Sequence, residues 1–184
     1  MIQKLFALML LFAISGCTKK PQQLDVQVFV VTKGGENIKL GLVEVKAMPL
    51  EKALNALRPV VAERDAALID LKAEEDEKED AKEEELIHLK YKRKSLVLSA
   101  RFAVALPFSA MQSSAKTDAD GRCSLMLPPN QRWVISAVGE RQAASELEHY
   151  VWIVEVPQKE GASNSLLLSN DNLLEDGANP LGLK

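Results

Sequence analysis

Several residue types on which protein chemistry depends are scarce in this chain of 184 residues. It has two cysteines and two histidines, and His88 and His149 do not stand at a spacing typical of a zinc site. No Gly-rich phosphate loop and no Gly-x-Ser-x-Gly nucleophile motif is present. The net charge of −3 argues against nucleic acid as a partner, because such binding needs a basic face. These absences predict a protein that is not an enzyme and that holds no cofactor or metal.

The beginning of the chain carries its most informative pattern. Residues 1–4 are lightly basic, residues 5–14 are apolar but too few to span a bilayer, and small residues lead to Cys17. This pattern predicts a signal peptide over residues 1–16. The sequence Ile14-Ser15-Gly16-Cys17 resembles the lipobox of bacterial lipoproteins, which implies that Cys17 is lipidated and becomes the N-terminus. An ordinary secretory signal cut elsewhere is the alternative.

A lipid anchor at Cys17 predicts attachment to a membrane of the cell envelope, because each buried methylene contributes about 0.8 kcal/mol. Thr18 follows the cysteine where an aspartate commonly marks inner-membrane retention, so the resemblance implies the periplasmic face of the outer membrane in a Gram-negative host. Residues 17–24 are expected to form a tether. Seven extended residues reach roughly 25 Å, which predicts a folded body close to the membrane.

Residues 25–49 and 107–170 are expected to form strands. The first range alternates apolar and polar residues on both sides of Lys33-Gly34-Gly35-Glu36-Asn37, which predicts a hairpin between residues 26–30 and 40–47. Five to seven strands would close a sandwich. Its predicted inner face consists of Val28, Val43, Val45, Leu125, Leu127, Ile135, Trp152 and Val154. The polar residues 171–184 are expected to lie along the surface or to be loose.

Residues 50–106 have helical spacing, no glycine and one interior proline, Pro59. An apolar stripe of heptad type, with Arg64 as its one polar member, precedes a highly charged stretch, and a second stripe continues until Pro107. The first stripe contains Leu50, Leu54, Leu57, Val61, Leu68 and Leu71, and the second contains Leu86, Leu89, Leu96, Ala100 and Ala103. Two stripes around a polar apex favour an inserted, coiled-coil-like helical hairpin over one long rod.

The charged stretch admits two interpretations. Nine carboxylates between Glu74 and Glu85 precede a basic group that ends at Lys94, and the two groups could recruit a partner or cation. We favour a solvated helix face in which Glu–Lys pairs contribute a few tenths of a kcal/mol each.

The segment Thr117-Asp118-Ala119-Asp120-Gly121 places an acidic turn between two strands. Together with residues 41–45 it resembles the carboxypeptidase regulatory-like domain, a transthyretin-like β-sandwich, over residues 25–48 and about 112–140. The resemblance implies an accessory or binding module that is not itself catalytic. Cys123 stands where that family usually has an aromatic residue, and a small buried thiol is an acceptable core residue there.

The predicted class is therefore mainly β, α+β overall: an antiparallel transthyretin-like or Ig-like sandwich with an inserted helical hairpin. The predicted function is a non-enzymatic envelope lipoprotein that presents residues 50–106 for protein contact or self-association. The alternative is a carbohydrate- or cell-wall-binding module. Possible contact residues are Trp133, Trp152, Arg64 and Arg93, and Tyr150 could extend a sugar-stacking platform. The acidic turns Asp118/Asp120 and Asp171/Asp176 are expected to shape the backbone rather than to bind Ca²⁺.

Overall fold

The structure is a computed structural model that describes residues 20–77, 83–143, 146–157 and 164–183. Cys17 and the predicted signal peptide lie outside the described residues. Within these ranges the chain forms eight strands and three α-helices. The strands are β1 (Gln22–Val31), β2 (Asn37–Lys39), β3 (Glu44–Pro49), β4 (Ser113–Lys116), β5 (Arg122–Leu127), β6 (Trp133–Ala143), β7 (Glu146–Glu155) and β8 (Ser165–Leu168). The helices are α1 (Leu50–Glu77), α2 (Glu83–Val97) and α3 (Ala100–Ala105).

The strands form two sheets of four strands each. In the first sheet, β1 pairs antiparallel with β2 and β5 and parallel with β8. The second sheet has the order β4-β3-β6-β7 and is antiparallel throughout. The chain is thus an α+β protein with two packed sheets. The wholly antiparallel prediction was wrong at β8, which returns beside residues 25–28 in the same direction as β1.

The core between the sheets is the one expected from strand alternation. Every second residue of β1 points inward, and the inner residues of β5, β6 and β7 meet them. All eight predicted inner-face residues belong to this cluster, with seven buried and Val154 partly buried, so that prediction is confirmed. β1 begins at Gln22, because Gln22 to Leu24 pair with Leu127 to Leu125, so the strand includes the last three residues of the predicted tether.

The predicted pairing of residues 26–30 with 40–47 was wrong. β1 pairs with only three residues of β2, after which the chain crosses to the second sheet and continues as β3. Thr117 holds this crossing, since its buried Oγ1 donates to the carbonyl of Leu40 (2.7 Å) and accepts from the N–H of Val43 (3.0 Å). Val43 and Val45 therefore do face the core, but from the opposite sheet.

The part of the second sheet around residues 47–49, 133–137 and 151–153 is buried on both faces. Its outer face, which includes Met48, Val134, Val151 and Ile153, lies under the helices in a second apolar cluster. This double burial explains why residues 133–137 are buried without alternation. Within the described residues no helix is both long enough and apolar enough to cross a membrane.

The C-terminal segment packs against the protein. Leu174, Leu181 and Leu183 are partly buried in the cluster under the helices, and Pro180 is buried. The Leu174 N–H donates to the Val151 carbonyl (2.8 Å) at the edge of β7. The segment therefore lies along the surface, which is one of the two expectations for residues 171–184, because its leucines complete an apolar cluster.

Candidate interaction surface

The first three turns of α1 fix the helical hairpin to the sandwich. Leu50, Ala53, Leu57 and Val61 are buried against the outer face of the second sheet. From the other arm, Phe102 of α3 is 1% exposed in the same cluster. Both ends of residues 50–106 are thus anchored by apolar contacts, which contribute about 25 cal/mol for each Å² of apolar surface removed from water.

Arg64 marks the end of this anchored region. Its side chain is 4% exposed, its guanidinium bonds Asp65, the Ala178 carbonyl (3.1 Å) and Asn179, and it lies 5.3 Å from the ring centre of Phe102. Arg64 was predicted as a possible contact for a ligand or partner, and that prediction was wrong. Each of the three guanidinium nitrogens already donates a hydrogen bond, and the side chain ties the C-terminal segment to α1.

Beyond Arg64 the hairpin has its own contacts. Leu71 and Leu89 are 0% and 2% exposed, yet they belong to neither cluster of the sandwich. Lys92 donates to Glu74 (2.8 Å) and Arg93 donates to Glu75 (3.1 Å), so α2 packs along the distal half of α1.

The two arms run in opposite directions. The end of α1 contacts Lys92 and Arg93, whereas Glu63, three turns earlier, lies 4.0 Å from Arg101 at the start of α3. The bond from Arg93 lowers the pKa of Glu75, and the same carboxylate raises the pKa of Arg93. Arg93 is exposed and Glu75 is half-buried, so this surface ion pair aligns the arms more than it stabilises them.

The predicted stripe on the second arm is only partly present. Leu89 is buried, but Leu86 is 37% exposed, and the helix is interrupted at residues 98–99 before α3 begins. Phe102 rather than Ala100 or Ala103 provides the main buried contact of that arm, because the interruption turns α3 toward the sheet.

The outer surface of α2 carries residues that the sequence analysis did not single out. Ile87 is 44% and Tyr91 69% exposed, one helical turn apart. Acidic Glu83, Glu84 and Glu85 form the first turn of this helix, and Lys94 lies in its last turn. The sequence signal that could have identified Ile87 and Tyr91 is their spacing of four residues, which places an apolar pair on the helix face opposite Leu89.

The two tryptophans are buried and cannot stack on a ligand at the surface. Trp133 is 4% exposed and its indole N–H donates to the Pro128 carbonyl (3.1 Å). Trp152 is 0% exposed and donates to the Ser169 carbonyl (2.9 Å). Tyr150 stacks on Trp152 with ring centres 6.0 Å apart and is itself partly buried. The predicted contact roles of Trp133 and Trp152 were wrong, because both rings complete the core between the sheets.

The acidic turns have structural partners. One carboxylate oxygen of Asp118 accepts the N–H groups of Asp120 (2.8 Å) and Arg122 (2.9 Å), which is the geometry of a turn-forming aspartate. Asp120 pairs with Lys39 (2.5 Å), and that bond lowers the pKa of Asp120.

At the C-terminal acidic turn, Asp176 accepts the N–H of Ser99 (2.7 Å), and Asp171 lies in the short 3-10 turn Asn170–Asn172. His88 is exposed, and His149 lies 3.2 Å from Glu140 on the β6–β7 hairpin. In the part of the chain that the structure describes, no three such side chains are grouped as metal ligands would be.

Comparison with known proteins adds one distant structural resemblance. No protein-family model and no curated protein matches the chain. A solved structure from Pseudomonas aeruginosa, described as a "putative carbohydrate binding protein", is similar at 16% sequence identity and a TM-score of 0.44. The match covers 82% of this chain and 89% of that one. At this TM-score the resemblance carries no argument about the function of this chain.

Proposed function

We propose that this chain is a non-enzymatic lipoprotein of the cell envelope, anchored through Cys17, whose sandwich presents the distal half of the helical hairpin for protein contact or self-association. The observation that carries the proposal is the separation of the hairpin into an anchored and a free half. The apolar contacts between the helices and the second sheet extend only as far as Val61, close to Arg64. Residues 65–77 and 83–97 continue beyond this point and are joined to each other by Leu71, Leu89 and two ion pairs.

The length of α1 supports a presenting role. At about 1.5 Å per residue, the thirteen residues after Arg64 extend about 20 Å. A helix pair that served only to cover the second sheet could end at Arg64, because the apolar surface of that sheet is already covered there. Arg93 lies on this distal half with its side chain 44% exposed, so its proposed part in partner contact stays a prediction.

The turn at residues 117–121 supports a transthyretin-like sandwich as the finer fold. Gly121 has a φ of +71°, and a Cβ atom there would lie 2.3 Å from the Val28 carbonyl oxygen, so only glycine fits. In the resembling family such sandwiches are accessory or binding modules, which agrees with a presenting role. An anchor at Cys17 would place the chain in the envelope, on the periplasmic face of the outer membrane if the host is Gram-negative.

The proposal is tested by shortening only the free half. We would replace residues 67–95 by a short Gly/Ser link, which keeps Arg64, Val97 and Phe102, and then compare cross-linking of both forms in the native envelope. The expected result is a cross-linked species that only the full chain forms, while both forms show the same tryptophan fluorescence. Equal cross-linking of both forms would refute the presenting role. Loss of lipid labelling in Cys17→Ser tests the anchor separately.

The glycan-binding alternative would have to use a surface other than the tryptophans, since Trp133 and Trp152 are both buried. Binding of the chain to cell-wall glycan that persists in the shortened form would favour this alternative over the hairpin.

A further inference from the structure

The face of α2 that points away from α1 carries a short stripe of exposed residues. Leu89 is buried toward α1, and at about 100° per residue Ile87 and Tyr91 lie roughly 160° around the helix from it. Glu84 and Lys94 continue the stripe, since the four residues follow each other at steps of three, four and three. All four are exposed. The stripe is thus an apolar pair with an acid before it and a base after it.

The stripe is complementary to itself in one orientation. Ile87 and Tyr91 are placed symmetrically about residue 89, and so are Glu84 and Lys94. If two α2 helices pack antiparallel about that level, each Ile87 meets Tyr91 of the partner subunit, and each Glu84 meets Lys94 of the partner subunit. A parallel pair would instead place like charges opposite each other.

We propose that the occupant of this face is a second copy of the chain, packed antiparallel along α2 as a two-fold symmetric dimer. This inference rests on the proposed function and names the partner of the free half of the hairpin. A two-fold interface uses the same patch on both subunits, and the charge order of this stripe satisfies that condition. The acidic first turn of α2, formed by Glu83, Glu84 and Glu85, argues against an anionic membrane as the occupant.

The dimer is expected to be weak in solution. One helix from each copy contributes, so the buried area falls in the lower class of interfaces, below about 1,200 Å² in total. The apolar pair supplies the central contact and the two charge pairs mainly set the orientation. Attachment of both copies to one membrane would raise their local concentration.

Sedimentation equilibrium of the chain from Thr18 to Lys184 tests the proposal through charge exchange. Glu84→Lys sets like charges opposite each other and should raise the dissociation constant about tenfold, and Lys94→Glu should do the same. The double variant should dimerise as the unaltered chain does. A mixture of the two single variants should form a heterodimer more readily than either variant forms a homodimer.

The apolar contact has a matched control on the other arm. Tyr91→Ala should weaken the dimer about tenfold, whereas Ile69→Ala on α1, where Ile69 is 71% exposed, should leave it unchanged. Unchanged circular dichroism at 222 nm in each variant establishes that the hairpin is still folded.

The failures of the two proposals are distinguishable. A monomer at every concentration that still cross-links to a different envelope protein through the hairpin overturns the dimer and leaves the proposed function in place. A monomer that cross-links to nothing overturns both. A dimer that is insensitive to Glu84→Lys and Tyr91→Ala shows that another face is used and overturns this inference.

Discussion

Replacement of Phe102 by alanine tests whether the helices and the sandwich unfold as one unit. The Phe102 ring is 1% exposed, belongs to the cluster under the helices and carries the Arg64 guanidinium 5.3 Å from its centre. Truncation of a buried phenylalanine costs about 3–5 kcal/mol, against a total stability of about 5–15 kcal/mol for a typical domain. With a urea dependence of about 2 kcal/mol per molar, the unfolding midpoint should fall by about 2 M.

Two optical probes separate the layers of the protein. Both tryptophans lie in the core between the sheets, so their fluorescence reports on the sandwich, while circular dichroism at 222 nm is dominated by the helices. If the helices and sheets fold together, both signals should shift to the same lower midpoint in Phe102→Ala. Val104→Ala, on the same helix but 85% exposed, should change stability by less than about 0.5 kcal/mol. A fluorescence midpoint that stays unchanged in Phe102→Ala would refute the reasoning, because the sandwich would then be stable without the helical layer.

Three further predictions concern single positions. Gly121→Ala should lower the free energy of unfolding by about 2 kcal/mol or more, because φ is +71° and the new Cβ would meet a backbone oxygen. An unchanged urea midpoint would contradict this prediction. Burial raises the pKa of the Cys123 thiol from 9.0 to about 11. Alkylation of this thiol at pH 8 should therefore be about a hundredfold slower in the folded chain than in urea, because only the thiolate reacts. Equal rates would show that the thiol is accessible to solvent in the folded chain. Arg64→Met should lower the free energy of unfolding by about 1–3 kcal/mol, because it removes the donor to the Ala178 carbonyl. The same change should speed amide hydrogen exchange in residues 173–183. Protection that persists there would show that the leucines alone hold the segment.

The structure also changes how the hairpin is best removed. Replacing all of residues 51–104 would delete Leu57 and Phe102 and expose the apolar outer face of the second sheet. Loss of folding in such a form would not report on partner binding. The shorter replacement of residues 67–95 avoids this problem, because it leaves both anchored arms in place.

The local elements of this protein follow from its sequence. Alternation in β1 and β5 depends only on the two-residue period of a strand, so Val28, Leu125 and Leu127 could be assigned to the core without a structure. The turn from Asp118 to Gly121 is equally local, because the aspartate side chain bonds backbone two and four residues ahead. The distal hairpin could likewise be expected from its helical spacing.

The contacts between elements could not be predicted in the same way. The crossing of residues 40–47 from the first sheet to the second depends on the buried hydroxyl of Thr117, which lies more than seventy residues away. The parallel pairing of β8 with β1 likewise joins residues that are far apart in the chain. The exposed stripe on α2 is defined by the burial of Leu89 against α1, which is a contact between two helices. The sequence by itself determined strands, turn and helices, since these depend on spacing between neighbours. Tertiary structure alone decided that Trp133, Trp152 and Arg64 are structural, because burial is settled by residues that are far apart in the chain.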